Sequence, residues 1–333
     1  MNNDVSGLTQ KWDNAIKETF GVMAMYEVES VVGFFSGGHD SLLATHLASL
    51  HPKFYGVVWA DTGTGAAETR RYIRETAARY GWVLERGMVH PLAYEANVVQ
   101  FGFPSPVTHR NIYLLLKATA FSKVLTRITA QTGVARTKMA QITGLRRAES
   151  THRQSYVELY YERRNKTGKL LELRVAPLWD WSKGERDEMI AHLGLPRNAY
   201  ADKVGHSYEC MCFANLGKGD RELRALLSPQ YEAIELKREE MAKLAYEIQQ
   251  MKIEAGMLDE GDRVFLGPEK LTSGWHLSHR IKAQVAEFDP FSLCSGCDMK
   301  RAEDGTGGYD PDLELQIAQI KRAQNLIQIE GAS

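Results

Sequence analysis

The chain has 333 residues, 44% of them hydrophobic, which is enough for one large α/β core and a smaller appended unit. Its formal net charge of -1 excludes the global field that marks whole-surface binders of nucleic acid or membrane. The sequence holds no apolar run long enough for a transmembrane helix, and the polar stretch Met1–Gln10 lacks the core of a signal peptide, so a cytoplasmic protein with no membrane partner is expected.

Residues 8–26 carry Leu8, Trp12, Ile16 and Phe20 at near-helical spacing and predict an amphipathic helix. Val31-Val32-Gly33-Phe34-Phe35 reads as a buried parallel strand. Ser36-Gly37-Gly38 then turns the chain into a helix from Ser41, with Leu42, Leu43, His46 and Leu47 on one face. A second strand is expected over 54–60, followed by Asp61-Thr62-Gly63 and a helix over 66–80. A third strand over 82–88, a helix over 110–132 and a fourth strand over 138–143 continue the alternation. This order predicts an α/β fold, a Rossmann-like doubly wound and mostly parallel sheet, with ligands at the carboxyl ends of its strands. Residues 156–163 and 169–175 alternate around Asn165-Lys166-Thr167-Gly168 and predict a β-hairpin. A long helix or helix pair is expected over 218–257 and another helix over 312–329. The domain reading is therefore 1–215 for the nucleotide-binding part and 216–333 for a helical region that returns a second cysteine pair.

Chemistry concentrates first in Ser36-Gly37-Gly38-His39-Asp40-Ser41. Two glycines after a buried strand let backbone N–H groups face an anion, and the positive end of the following helix adds to the attraction. Ser36 and Ser41 supply hydroxyl donors, and Asp40 beside phosphates points to Mg²⁺. Asp61, at a strand end, is placed to hold a metal or a ribose hydroxyl. Arg146, Arg147 and Arg153 suit bidentate contacts to phosphate or sulfate, the alternative being surface ion pairs. Between Arg136 and Arg174, ten basic residues stand against four acidic ones, a local +6. Its tip, Arg163-Arg164-Asn165-Lys166, is read as a solvated turn, with contact to DNA or tRNA as the alternative.

The four cysteines form C-x-C at Cys210 and Cys212 and C-x-x-C at Cys294 and Cys297. In a reducing compartment such pairs favour a metal site over a disulfide; four thiolates suit a [4Fe–4S] cluster or a tetrahedral Zn²⁺, with free or redox thiols as the alternative. His206 is a candidate extra ligand.

The loop resembles the S-G-G-x-D-S signature of the PP-loop ATP pyrophosphatases, which bind ATP and release pyrophosphate while adenylating a substrate. His39 stands where that family often has lysine. Three further segments resemble the phosphoadenosine-phosphosulfate reductase-like branch in its own order. They are Asp61-Thr62-Gly63 with Glu68-Thr69; Gly144-Leu145-Arg146-Arg147-Ala148-Glu149-Ser150 with Arg153; and Ala176-Pro177-Leu178-Trp179-Asp180-Trp181-Ser182 with Leu195-Pro196-Arg197-Asn198-Ala199-Tyr200. Cys210-Met211-Cys212 falls where the branch often has G-C-x-x-C, one residue shorter here and with Glu209 in place of glycine. The resemblance covers about residues 31–212. It implies that Ser36 to Ser41, Asp61, Thr62, Gly63, Gly144 and Ser150 bind an adenine nucleotide with Mg²⁺, and that Asp40, Arg146, Arg147 and Arg153 serve catalysis.

Two departures separate the chain from the sulfonucleotide reductases of that branch. Their C-terminal E-C-G-x-H segment has no counterpart, and no tandem cysteine precedes the arginine motif. With the aspartate of the loop present, the sequence looks more like adenylating relatives, such as the ATP-pyrophosphatase component of DNA phosphorothioation. The expectation is an ATP pyrophosphatase that activates a substrate for sulfur transfer, nucleic acid being one candidate substrate. A partner such as a cysteine desulfurase would donate the sulfur. A sulfonucleotide reductase is the first alternative and a non-catalytic nucleotide- or nucleic-acid-binding module the second.

Overall fold

The computed structural model describes residues 2–101, 112–149, 151–154, 156–204, 207–210 and 231–262. Among them the chain divides into two compact units, one of residues 2–87 and 120–210, the other drawn from 88–119 and 231–262. The domain boundary expected near 215 and the helix expected over 312–329 lie outside the described residues.

The first unit is built on six strands: β1 (Ser30–Phe34), β2 (Phe54–Asp61), β3 (Leu84–Met88), β4 (Met139–Ile142), β5 (Tyr160–Arg164) and β6 (Leu170–Val175). They run in the order β3-β2-β1-β4-β6-β5. β1 pairs in parallel with β2 and with β4, β4 pairs in parallel with β6, and β5 alone closes the edge antiparallel to β6. The chain leaves β1 toward β2 and later returns to its other side as β4. β1 and β4 thus flank a topological switch point, where loops part and leave a crevice at the carboxyl ends.

Helices α1 (Asn2–Met25), α2 (His39–Ser49) and α3 (Ala67–Arg79) cover one face with α7 (Lys183–His192). Trp12, Leu42, Leu47, Ile73 and Ile190 meet Val31 and Phe35 in a single core there. Helix α5 (Thr119–Thr132) covers the other face, where Phe121, Val124 and Ile128 meet Val32 and Phe34. Burial on both sides explains why β1 reads as an uninterrupted apolar run and not an alternating one. Helix α4 (Ala93–Phe101), helix α6 (Thr151–Gln154) and helix α8 (Ala199–Val204) were not apparent from periodicity, since each is short.

The helix expected over 110–132 begins with a π-helical turn, Tyr113–Ala118, before α5. The hairpin forms with its turn at Asn165, whose side chain accepts from the backbone N–H groups of Thr167 and Lys169 at 3.0 and 2.9 Å. It is also the edge of the main sheet, because β6 pairs with β4. In the second unit, α4 packs against α9 (Tyr231–Glu254), which buries Met241, Leu244, Ala245 and Ile248. Among the described residues no helix is long and apolar enough to cross a membrane.

Candidate phosphate site

The switch point is filled by the loop Ser36–Ser41 and by Gly144. Gly37 adopts φ +75°, a conformation that favours glycine, and a Cβ there would also stand 2.8 Å from Thr69 Cγ2. Gly38 caps α2 in extended conformation, without a side-chain cap, so the first N–H groups of the helix stay directed out of its end. The two serines close the loop on itself: Ser41 Oγ accepts from Ser36 N at 3.2 Å and from Ser36 Oγ at 3.1 Å, and donates to Gly38 O at 2.9 Å. Gly144, in the loop after β4, presses on the first turn of α2, and a Cβ there would lie 2.5 Å from Asp40 C and 2.6 Å from Ser41 N. Ser150 lies outside the described residues.

Asp40 projects from that first turn into two guanidinium groups. Arg146 donates through Nε, and Arg186 Nη1 stands 2.9 and 3.0 Å from the two carboxylate oxygens. Arg186 is fixed in turn by Asp187 Oδ1, 3.0 Å from its Nε and 2.8 Å from its Nη2. Arg197 reaches both Asp187 at 3.2 Å and Asp202 at 2.5 Å, and Asp202 faces His39 Nε2 at 3.5 Å. The result is a circuit of alternating charge that leaves α2 at Asp40 and returns to it at His39. Burial holds the His39 imidazole below its ordinary pKa, and Arg197 adds in the same direction, against the opposing pull of Asp202. Hydrogen bonds from Arg197 hold the Asp202 carboxyl below its usual range.

The other two arginines of the motif turn elsewhere. Arg147 lies over the Trp179 ring at 4.3 Å and donates to Val157 O, whereas Arg153 is buried beside Glu149. Arg186 was not singled out from the sequence. Its signal was a charged residue in the buried stripe Arg186-Met189-Ile190 of α7, at i, i+3 and i+4.

Asp61 ends β2 and is almost fully buried. Its Oδ2 accepts from Arg86 Nε at 2.9 Å, and its Oδ1 accepts from Gly63 N at 3.1 Å with Arg70 Nε at 3.5 Å. Thr62 Oγ1 donates to Glu209 O at 2.9 Å, and Thr64 Oγ1 lies 3.6 Å from Cys210 Sγ. The segment 207–210 therefore runs along the loop after β2. Asn198 joins the phosphate loop to the first turn of α3, its Nδ2 donating to Gly37 O at 2.9 Å and to Thr69 Oγ1 at 3.2 Å. Neither acidic residue fits a Mg²⁺ ligand as arranged, since Asp40 and Asp61 already receive guanidinium donors on their oxygens. Cys212, Cys294, Cys297 and His206 lie outside the described residues, among which no group of three or more metal-ligating side chains gathers.

Among solved structures the chain is similar to a phosphoadenylyl-sulfate reductase from Candida auris in phosphate complex. That match has 18% identity, covers 56% of this chain and 83% of that one, and gives a TM-score of 0.39. Candida glabrata FMN adenylyltransferase is also similar. With FMN and the ATP analogue AMPCPP the identity is 15%, the coverage 59% of this chain and 62% of that one, and the TM-score 0.38. With FAD and inorganic pyrophosphate the values are 14%, 61%, 64% and 0.40. Comparison with curated protein sequences finds no match. The phosphoadenosine phosphosulfate reductase domain matches residues 30–216, more than half of the chain, and the chain belongs to that family.

Proposed function

We propose that the chain binds the phosphates of an adenine nucleotide at the N-terminus of α2 and cleaves ATP to AMP and pyrophosphate, adenylating an acceptor for sulfur transfer. The observation that carries this reading is the loop itself. Paired glycines, two hydroxyls and an uncapped helix end converge where β1 and β4 part, with the guanidinium groups of Arg146 and Arg186 alongside. Backbone N–H groups and positive charge preorganised at that point stabilise the charge that grows on a departing pyrophosphate, and no side-chain nucleophile is needed. Asp61, Thr62 and Gly63 border the nucleotide's other end in this reading. Cys210, Cys212, Cys294 and Cys297 hold a [4Fe–4S] cluster or Zn²⁺, for which iron, sulfide and zinc analysis of anaerobically prepared protein is the test. The guanidinium groups at the hairpin tip are engaged within the chain, Arg163 with Glu172 and Arg164 with Glu162. The proposal therefore rests on the nucleotide and not on DNA or tRNA as the acceptor.

Sulfonucleotide reduction is the second reading, and Cys210 favours it: a half-buried thiol beside Thr64 at the carboxyl end of the sheet. The two part on product. Pyrophosphate and AMP released from ATP with a candidate acceptor, and lost in Ser41→Ala, support adenylation. Sulfite released from a sulfonucleotide with a dithiol reductant, without pyrophosphate release from ATP, overturns it.

A further inference from the structure

Asp40 sits in the first turn of α2, where a carboxylate would ordinarily be balanced by the helix end alone. Here it is partly buried, at 21% exposure, and paired. The side chains of Arg146 and Arg186 are only 5% and 7% exposed, and both donate to it from different elements, the loop after β4 and α7. Arg146 Nη1 is held by Trp181 O at 3.2 Å, and Arg186 by Asp187. A carboxylate has about four lone-pair sites, and a Mg²⁺ ligand oxygen must approach to about 2.1 Å in octahedral geometry. Three guanidinium contacts occupy those sites, two on Oδ1 and one on Oδ2, so a cation on Asp40 would share the carboxylate with two buried guanidinium groups and face their positive charge at close range. The whole cluster is balanced as it stands, with Arg146, Arg186 and Arg197 against Asp40, Asp187 and Asp202.

We propose that Asp40 is a positioning residue and not a metal ligand: it holds Arg146 and Arg186 beside the phosphate loop, and these two guanidinium groups take up the charge of the bound phosphate. The inference rests on the reading that this loop binds phosphate. An arriving phosphate offers the same forked acceptor geometry as the carboxylate, so it competes with Asp40 for arginines already in place. Arg186 becomes a second phosphate-binding residue beside Arg146, supplied by α7 and not by the glycine or arginine motifs. Charge arithmetic then fixes a sign. Removing the negative charge of Asp40 leaves the balanced cluster at +1 and strengthens anion binding, whereas removing a metal ligand weakens it.

The test is calorimetric binding of pyrophosphate and of ATP to the full-length protein, in magnesium and in EDTA. Wild-type protein is expected to bind pyrophosphate in EDTA within about threefold of its affinity in magnesium. Asp40→Asn is expected to bind it at least as tightly in EDTA. Arg186→Met should lose about tenfold or more, with Arg186→Lys recovering part of that loss. Wild-type binding that requires magnesium, together with loss of that requirement in Asp40→Asn, overturns the inference and leaves the nucleotide reading standing. No binding of either ligand in either buffer overturns the nucleotide reading itself. The wild-type comparison requires no variant to fold, and circular dichroism with thermal melts separates lost binding from lost structure in the others.

Discussion

The side-chain amide of Asn198 donates to the carbonyl of Gly37 at 2.9 Å, across 161 positions of sequence. The same Nδ2 reaches Thr69 Oγ1, whose hydroxyl donates to Ser207 O. Its Oδ1 accepts from Tyr200 N at 3.1 Å and caps α8. One buried amide thereby fixes the phosphate loop, the N-terminus of α3 and the start of the segment 207–210.

Asn198→Ala is therefore expected to act on binding more than its size implies. The variant leaves the buried Gly37 carbonyl without its donor and uncaps α8, a cost of about 1–3 kcal/mol for the former. Nucleotide affinity should fall with the loop's order, and Asn198→Asp, which keeps the cap but presents no N–H, should restore stability more than affinity. Thermal melts paired with nucleotide titration check this; equal recovery of both by the aspartate would show that Asn198 matters only as a cap.

Gly144 makes a sharper geometric claim. A methyl at this position meets backbone atoms of Asp40 and Ser41, which cannot rotate away. Gly144→Ala should cost about 1–3 kcal/mol as an overpacked contact and displace the first turn of α2, weakening nucleotide binding by about tenfold or more. Gly184 in α7 has only Ser182 Oγ within reach, at 3.9 Å, so Gly184→Ala is the control and should change stability by less than about 1 kcal/mol. Comparable losses in the two variants would refute the role given to Gly144.

Histidines lowered by burial, His39, His46 and the less enclosed His51, contribute to the response to acid. Burial holds the imidazoles of His39 and His46 below their ordinary pKa near 6.5. Below that value the unfolded chain binds protons that the folded chain refuses, so stability present above it is lost as pH falls through the folded values. Urea midpoints should drop as pH falls below about 6.5. His46 stacks against Trp12 at 6.3 Å and tilts toward Tyr80 at 5.7 Å, and His46→Phe keeps that packing. It should flatten the slope; an unchanged slope would assign the acid response to other groups.

The centre of the sheet was legible because β1 is buried on both faces: Val31, Val32, Phe34 and Phe35 leave little choice of element. The glycine loop was legible for the same local reason, since Gly37 and Gly144 answer to contacts that any neighbouring Cβ would break. What escaped the sequence was partner choice. Arg146, Arg147 and Arg153 look alike along the chain, yet they turn to Asp40, Trp179 and Glu149; the first two partners come from elements far apart in sequence, and only the third is a local i, i+4 pair. Arg186 escaped for the converse reason: in α7 it occupies the inward stripe where periodicity leads one to look for an apolar residue. The basic run over 136–174 looked like an external surface, although several of its members are spent on carboxylates within the fold.

Glu172 shows where that charge goes. It is fully buried on β6, with Arg136 Nη2 at 2.6 Å, Arg163 Nη2 at 2.9 Å and Arg174 Nη2 at 3.8 Å. Glu172→Gln keeps the shape and removes the buried negative charge that these three guanidinium groups face. Breaking a buried pair costs about 3–5 kcal/mol, and the loss here should fall toward the lower end, because Arg174 stays desolvated while Arg136 and Arg163 are each 25% exposed. Glu162, at the hairpin, meets Arg164 at 2.5 Å, and that arginine is 46% exposed. The corresponding Glu162→Gln should cost about 0–1 kcal/mol on that pair, and less in high salt. Denaturant titrations of the two variants at low and high ionic strength separate these cases. A Glu172→Gln loss as small and as salt-sensitive as that of Glu162→Gln would mean that water reaches the three arginines, and that the edge of the sheet is the open basic surface the sequence resembles.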